Sequence, residues 1–215
     1  YDGAHVLGLI AGKKFQDPLR EGAYILTGSL QKTLSGPVGG VILHNDATLQ
    51  KKIKRLMPEY QGALGFHLAT LAVTLAEMVK FGKEFASQII GNAKSLAADL
   101  DKKGFDVVGR HRGFTESHTV LVDANRLGDG AKIADELEKA NIMCSILQAK
   151  LNQPASLLRI GTTECTRYGM KESDFAQIAE FMKRLIIEKE DPRSVAGDVI
   201  EFKKHFLNVH YCFDS

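Results

Sequence analysis

The chain has 215 residues, 44% hydrophobic and 25% charged, with a net charge of +2 and three scattered cysteines, Cys144, Cys165 and Cys212. This is globular composition. It excludes recognition of nucleic acid or an anionic membrane by bulk charge, and it excludes a disulfide framework, which points to a reducing, cytoplasmic compartment. No stretch reads as a signal peptide, and His67 and Glu77 interrupt the most apolar run, 64–81, so no membrane span is expected.

Residues 1–47 alternate short apolar runs with glycine-rich turns. Val6–Gly12 reads as a short helix or turn, and Tyr24–Leu26 and Gly40–Leu43 as β-type runs bounded by Gly28, Gly36, Pro37, Gly39 and Asn45. Asp46 is placed to cap a helix that runs to Leu56, before Pro58. Leu64, Leu68, Leu71, Leu75 and Met78 form one helical stripe, Gly82 permits a bend, and Ile89, Ala93, Leu96 and Leu100 continue the pattern. A helix of this length commonly joins two domains, so the boundary is expected between Gly82 and Gly91, giving domains 1–85 and 86–215.

Beyond Gly104 the pattern becomes a small α/β unit. Phe105–Val108, Thr119–Val122, Ile142–Ile146 and Leu157–Ile160 read as strands, and Asp129–Ala140 as a helix capped by Asp129. Two final helices carry the faces Phe175, Ile178, Met182, Leu185 and Val195, Val199, Phe202, Phe206.

Three segments carry candidate chemistry: Asp2-Gly3-Ala4-His5; Thr27-Gly28-Ser29-Leu30-Gln31-Lys32-Thr33 with Gly36-Pro37-Val38-Gly39-Gly40; and Arg159-Ile160-Gly161-Thr162. Lys32 follows a strand expected to be buried, and burial lowers a lysine from its usual value of about 10.4, favouring the free amine that attacks an aldehyde. Asp2 can hold a ring nitrogen protonated, and the Arg159 fork suits a carboxylate. Singly, each has an ordinary reading. A lysine after a strand is usually solvated, Asp2 can be a turn residue, Arg159 can be a salt-bridge partner, and the glycines can simply shape a turn. His205 and His210 with Cys212 could converge near the C-terminus, but a helical spacing of five puts the two histidines on different faces, so no metal site is expected. Arg110-His111-Arg112 reads as a solvated turn, and 148–154 as a loop.

The order of these blocks resembles serine hydroxymethyltransferase over nearly the whole chain. Asp-x-x-His is followed by Lys-Thr-Leu-x-Gly-Pro-x-Gly-Gly, and Arg159-Ile160-Gly161-Thr162 with Thr166-Arg167-Tyr168-Gly169 stands near the far end. The resemblance implies an α/β fold: the C-terminal part of the pyridoxal-phosphate fold-type I (aspartate-aminotransferase-like) large domain, plus a small α/β domain. It implies that Lys32 is the catalytic, aldimine-forming lysine, with Asp2 at the pyridine nitrogen, His5 near the phenolic oxygen, and Ser29 and Gln31 beside the cofactor. Gln61 and Gly62 match a turn that reaches the neighbouring subunit's cofactor phosphate. Arg159 matches the arginine that holds the substrate carboxylate.

The implied reaction interconverts serine and glycine, with a reduced, tetrahydrofolate-like pterin carrying the one-carbon unit and a homodimer or higher homo-oligomer sharing its active sites. Leu30-Gln31 stands where the family usually has Thr-His, and Tyr24 where aspartate is common. The chain opens on Tyr1-Asp2 without an initiator methionine. It reads as a fragment lacking the family's first half, including the phosphate-binding loop. The alternatives are a related pyridoxal-phosphate aldolase or aminotransferase, or a truncated module without catalysis.

Overall fold

The structure, a computed structural model, describes residues 1–56, 65–148 and 155–213. Packing divides the chain into two compact units: Tyr1–Ser87 joined by the last residues from Tyr211, and Gln88–His210.

The first unit contains α1 (Leu7–Ala11), β1 (Leu26–Ser29), β2 (Gly40–Leu43), α2 (Ala47–Leu56) and the first part of α3 (Gly65–Lys102). β1 and β2 form an antiparallel hairpin in the register Leu26↔Leu43 to Ser29↔Gly40, and Asp2 bridges Thr27 in parallel on the other side of β1. The strand therefore begins at Leu26 and runs through Gly28, two residues later than the apolar run suggested. Tyr24 is exposed and turns its hydroxyl to the Asp46 carboxylate. Gly28 suits the strand interior because a Cβ there would lie 2.7 Å from the Leu7 side chain, which seats α1 on β1. Leu7, Leu26, Leu30 and Leu34 form this unit's core cluster, with Leu71 and Met78 packed against it.

Asp46 caps α2 as expected: its Oδ1 accepts from the N–H groups of Thr48 (2.7 Å) and Leu49 (3.2 Å). The α3 stripe is only half covered. Leu71 and Met78 pack inward, but Leu68 is 56% and Leu75 48% exposed, and Leu64 lies outside the described residues. As the continued pattern implies, α3 runs unbroken through Gly82. A Cβ on Gly12 would stand 2.4 Å from the Gly82 carbonyl and 2.6 Å from the Ala86 Cβ, so small residues here serve the close approach of α1's end to α3.

The second unit holds the rest of α3, then β3 (Asp106–Val107), β4 (Thr119–Asp123), α4 (Gly130–Lys139), β5 (Ser145–Gln148), β6 (Ala155–Gly161), α5 (Thr163–Arg167), α6 (Glu172–Ile186) and α7 (Pro192–Lys203). The sheet is antiparallel, in the order β3-β4-β6-β5. Residues 120, 122, 158 and 160 alternate into a core shared with Leu96, Leu100, Ile133, Leu137, Phe175, Met182 and Val195. Asp129 caps α4 by accepting from Ala131 N–H (2.9 Å), and Asp191 caps α7 by accepting from Arg193 N–H (2.9 Å). β5 starts three residues later than expected. Asn141, with φ 61°, turns the chain, and pairing begins only where Ser145 meets Arg159. The short α5 has no clear periodic signal in the sequence.

Candidate active site

In the first unit, Asp2, His5 and Lys32 lie along β1 and the turn that follows it. Asp2 enters by the parallel bridge, in which Gly3 N–H donates to Thr27 O (2.7 Å) and Thr27 N–H to Tyr1 O (3.0 Å). Gly3 permits this contact, since a Cβ would sit 2.8 Å from Leu26 Cδ1. The Asp2 carboxylate is exposed. Its Oδ1 accepts from Ala4 N–H (2.9 Å), and Oδ2 has no hydrogen-bond partner among the described residues. Lys32 lies in the turn after β1, with Nζ 3.3 Å from His5 Nε2.

This Lys32 is exposed, which corrects the expectation of a buried amine. The polypeptide turns away directly after Leu30: Ser35 N–H donates to Lys32 O (2.9 Å) and Gly36 N–H to Leu30 O (2.8 Å). It is Leu30 and Leu34 that point inward, and the lysine between them faces out.

What fixes the Lys32–His5 pair is a residue the sequence reading did not single out. Thr33, 1% exposed, donates through Oγ1 to His5 O (2.9 Å) and accepts from Gly8 N–H (3.0 Å). Gly8 allows the contact: a Cβ there would fall 2.0 Å from Thr33 O. A hydroxyl directly after the lysine, together with a glycine in an apolar helix, was the available signal. Gln31 is turned into the loop, where its Oε1 accepts from Gly39 N–H (3.2 Å). Ser29 is half-buried on β1, opposite Gly40. Gln61 and Gly62 lie outside the described residues.

In the second unit, Arg159 sits on β6, an interior strand of the sheet, opposite Leu121 on β4 and Ser145 on β5. The strand alternation sends it to the face away from the core. It is half-buried, and among the described residues its guanidinium has no hydrogen bond or ion pair. By contrast, Arg184 is held by Glu190 (2.6 and 2.7 Å) and Asp198 (2.7 Å).

Among the described residues no group of three or more His, Cys, Asp or Glu side chains could hold a metal. His205 and His210 both lie beyond the end of α7 instead of on one helix, and His210 N–H donates to Arg167 O (2.7 Å). Burial pushes the thiols of Cys144 and Cys165 up, which disfavours the thiolate form. Among the described residues no helix is long and apolar enough to cross a membrane.

The donor set suits pyridoxal phosphate: an accessible primary amine for the aldehyde, an imidazole beside it, and a carboxylate one strand over for the ring nitrogen.

The sequence model of the family described as serine hydroxymethyltransferase matches residues 1–182. The serine hydroxymethyltransferases of Methanocella arvoryzae and Methanocaldococcus jannaschii are 45% and 48% identical, each over 100% of this chain and 52% of their own length. The crystal structure of L-threonine transaldolase from Pseudomonas fluorescens in its internal aldimine state is similar, with a TM-score of 0.89 and 34% identity. It covers 100% of this chain and 50% of that one. The chain thus spans about half the length of the curated relatives it matches, and it has the expected α/β fold, the C-terminal part of the fold-type I architecture. With the Lys-Thr turn, the Asp2 bridge and the Arg159 strand in the order set out above, the chain belongs to the serine hydroxymethyltransferase family.

Proposed function

We propose that the chain carries the lysine and carboxylate-binding parts of a pyridoxal-phosphate enzyme that interconverts serine and glycine, with a reduced pterin as one-carbon carrier. The observation that carries this reading is the Lys32 amine held 3.3 Å from His5 Nε2 by the buried Thr33 clasp, beside the Asp2 bridge. In this assignment residues 1–85 belong to the cofactor-binding large domain and 86–215 to the small domain. Self-association and a cytoplasmic setting complete the proposal. Exposed Phe66, Leu68, Val73 and Val79 on α3 support the former, because surface of this kind favours association.

Each residue has a definite task. Lys32 would hold the cofactor through its aldehyde, and its exposure leaves the amine open to solvent. His5 can accept or return a proton at Lys32 Nζ, the atom it already faces. Asp2, through an Oδ2 unpaired among the described residues, would keep the ring nitrogen protonated. Arg159 fixes the substrate carboxylate by a two-point contact, for which its fork, unpaired among the described residues, is available. Pyridoxal phosphate, when bound, supplies the electron sink for charge developing at the substrate's α-carbon.

A second reading, pterin-independent cleavage of a β-hydroxy amino acid, is favoured by the Leu30-Gln31 pair. There the Gln31 amide cannot titrate and its oxygen is engaged by Gly39 N–H. The first test is addition of pyridoxal phosphate to the full chain while recording visible absorbance. A new band is expected in the wild type and not in Lys32→Ala. No band at saturating cofactor, or an undiminished band in the variant, would sink the assignment. Serine consumption that requires a pterin then separates the first reading from the second.

A further inference from the structure

Three of the buried polar side chains of the second unit gather at one place in its core. Asn92, Thr162 and Thr166, each 0% exposed, lie in a single hydrogen-bond chain. Asn92 Nδ2 donates to Thr166 Oγ1 (2.8 Å) and to Met170 O (2.9 Å), while Asn92 Oδ1 accepts from Gln88 Nε2 (2.9 Å). Thr166 Oγ1 donates to Thr162 O (2.7 Å), and Thr162 Oγ1 reaches Ile89 O (3.0 Å). At the outer end Lys171 Nζ donates to Gln88 Oε1 (3.2 Å). The chain joins α3 to α5 and to the loop that follows it.

Its inner end is the residue directly after β6. Thr162 N–H donates to His118 O (3.0 Å), extending the β4–β6 ladder one step past the Thr119↔Gly161 pair. Arg159 stands three residues earlier on that strand. We infer that this buried chain positions Arg159: Asn92, Thr162 and Thr166 form a positioning set for the carboxylate site, an inference that rests on Arg159 being the carboxylate-binding residue. Apolar packing alone would tolerate small slides of α5 and of the strand end. A buried carboxamide with every partner satisfied does not, because any slide leaves a desolvated donor or acceptor. A two-point contact between guanidinium and carboxylate needs this kind of support, since it fails with errors of about 0.5 Å. Arg159 has no ion pair of its own among the described residues, so its aim depends on its strand.

The test is titration of glycine into the full chain at a temperature well below every variant's melting point, following the backbone amide resonances of Leu158–Gly161. The wild type should saturate and Arg159→Leu should not. Thr166→Val keeps the shape and removes the hydroxyl. It should weaken glycine binding roughly five- to ten-fold, as should Asn92→Leu, whereas Thr166→Ser should stay within about two-fold of the wild type. A role confined to stability would lower the melting point without moving these affinities. If Thr166→Val and Asn92→Leu bind as the wild type does, the positioning inference is overturned and the carboxylate reading stands. If the wild type shows no saturable binding, or Arg159→Leu binds equally well, the carboxylate reading falls and takes the inference with it. Should Asn92→Leu not fold, the Thr166→Val and Thr166→Ser pair decides alone.

Discussion

The two units hold their candidate groups by different means. In the second, Arg159 rises from an interior strand whose other face belongs to a continuous core running from Leu96 to Val195. In the first, Lys32 and His5 sit on turns, over a cluster built from Leu7, Leu26, Leu30 and Leu34, while α3 exposes Phe66, Leu68, Val73, Leu75 and Val79. One group is fixed by a sheet, its core and the buried Asn92–Thr166 chain, the other by a single threonine clasp. Precision at a site can come from a packed core with hydrogen bonds inside it or from one well-placed contact over a smaller cluster, and mutation should tell the two apart.

Cutting into the second unit's core should have the largest effect. Phe175, 1% exposed, should cost about 3–5 kcal/mol when changed to alanine, measured by denaturant unfolding. A loss below about 1 kcal/mol would remove the contrast, since that value belongs to ordinary surface changes. Next comes Gly8→Ala. Its Cβ would meet Thr33 O at 2.0 Å, so the clasp must open. The expected cost is about 1–3 kcal/mol, and the absorbance band with pyridoxal phosphate should weaken along with it. If the band is unchanged in a destabilised variant, the clasp does not set the Lys32–His5 geometry.

Acid should give the smallest effect and the sharpest location. The Tyr24 hydroxyl holds the Asp46 carboxyl below its usual range, and the Leu49 and Thr48 N–H groups add to this. A depressed folded value means the stabilisation is complete above the unfolded value of about 3.9 and is lost as pH falls through the lower, folded one. Helical circular dichroism followed from neutral pH into this range should therefore show an acid step. Asp46→Asn, which still caps but does not titrate, should flatten it. An unchanged step would assign the transition elsewhere, for example to Glu190 beside Arg184.

Much of this architecture was legible in the sequence. Asp46 and Asp129 sit at helix starts because a side-chain oxygen there satisfies N–H groups the helix leaves open. The alternation at 119–122 and 157–160 marked strands because one face is buried. The misreadings have different causes. Lys32 is exposed because a local turn follows Leu30, whereas the late start of β5 depends on a partner distant in sequence. Ser145 begins its strand only because Arg159 is opposite, and Gly82 is small because Gly12 approaches it. Of the site, the residues could be named from their order, but not the clasp that joins Thr33 to Gly8 across 25 positions, nor the Asn92–Thr166 contact across 74.

The sheet order has a consequence for how the second unit comes into being. β6 is the last strand in sequence, yet it lies between β4 and β5. Until it arrives, β5 has no neighbour to pair with, and β4 has only the two-residue β3. During synthesis both must wait with open edges while the chain between Thr119 and Gly161 is completed, a non-local closure of the kind that slows folding and invites mispairing. Chains from which β6 has not yet emerged from the ribosome should accordingly show no protected amides in β5, and those from which residues up to Thr162 have emerged should gain them together with β4. The strand that ends this exposure also carries Arg159, so the unit cannot finish its sheet without also installing its guanidinium.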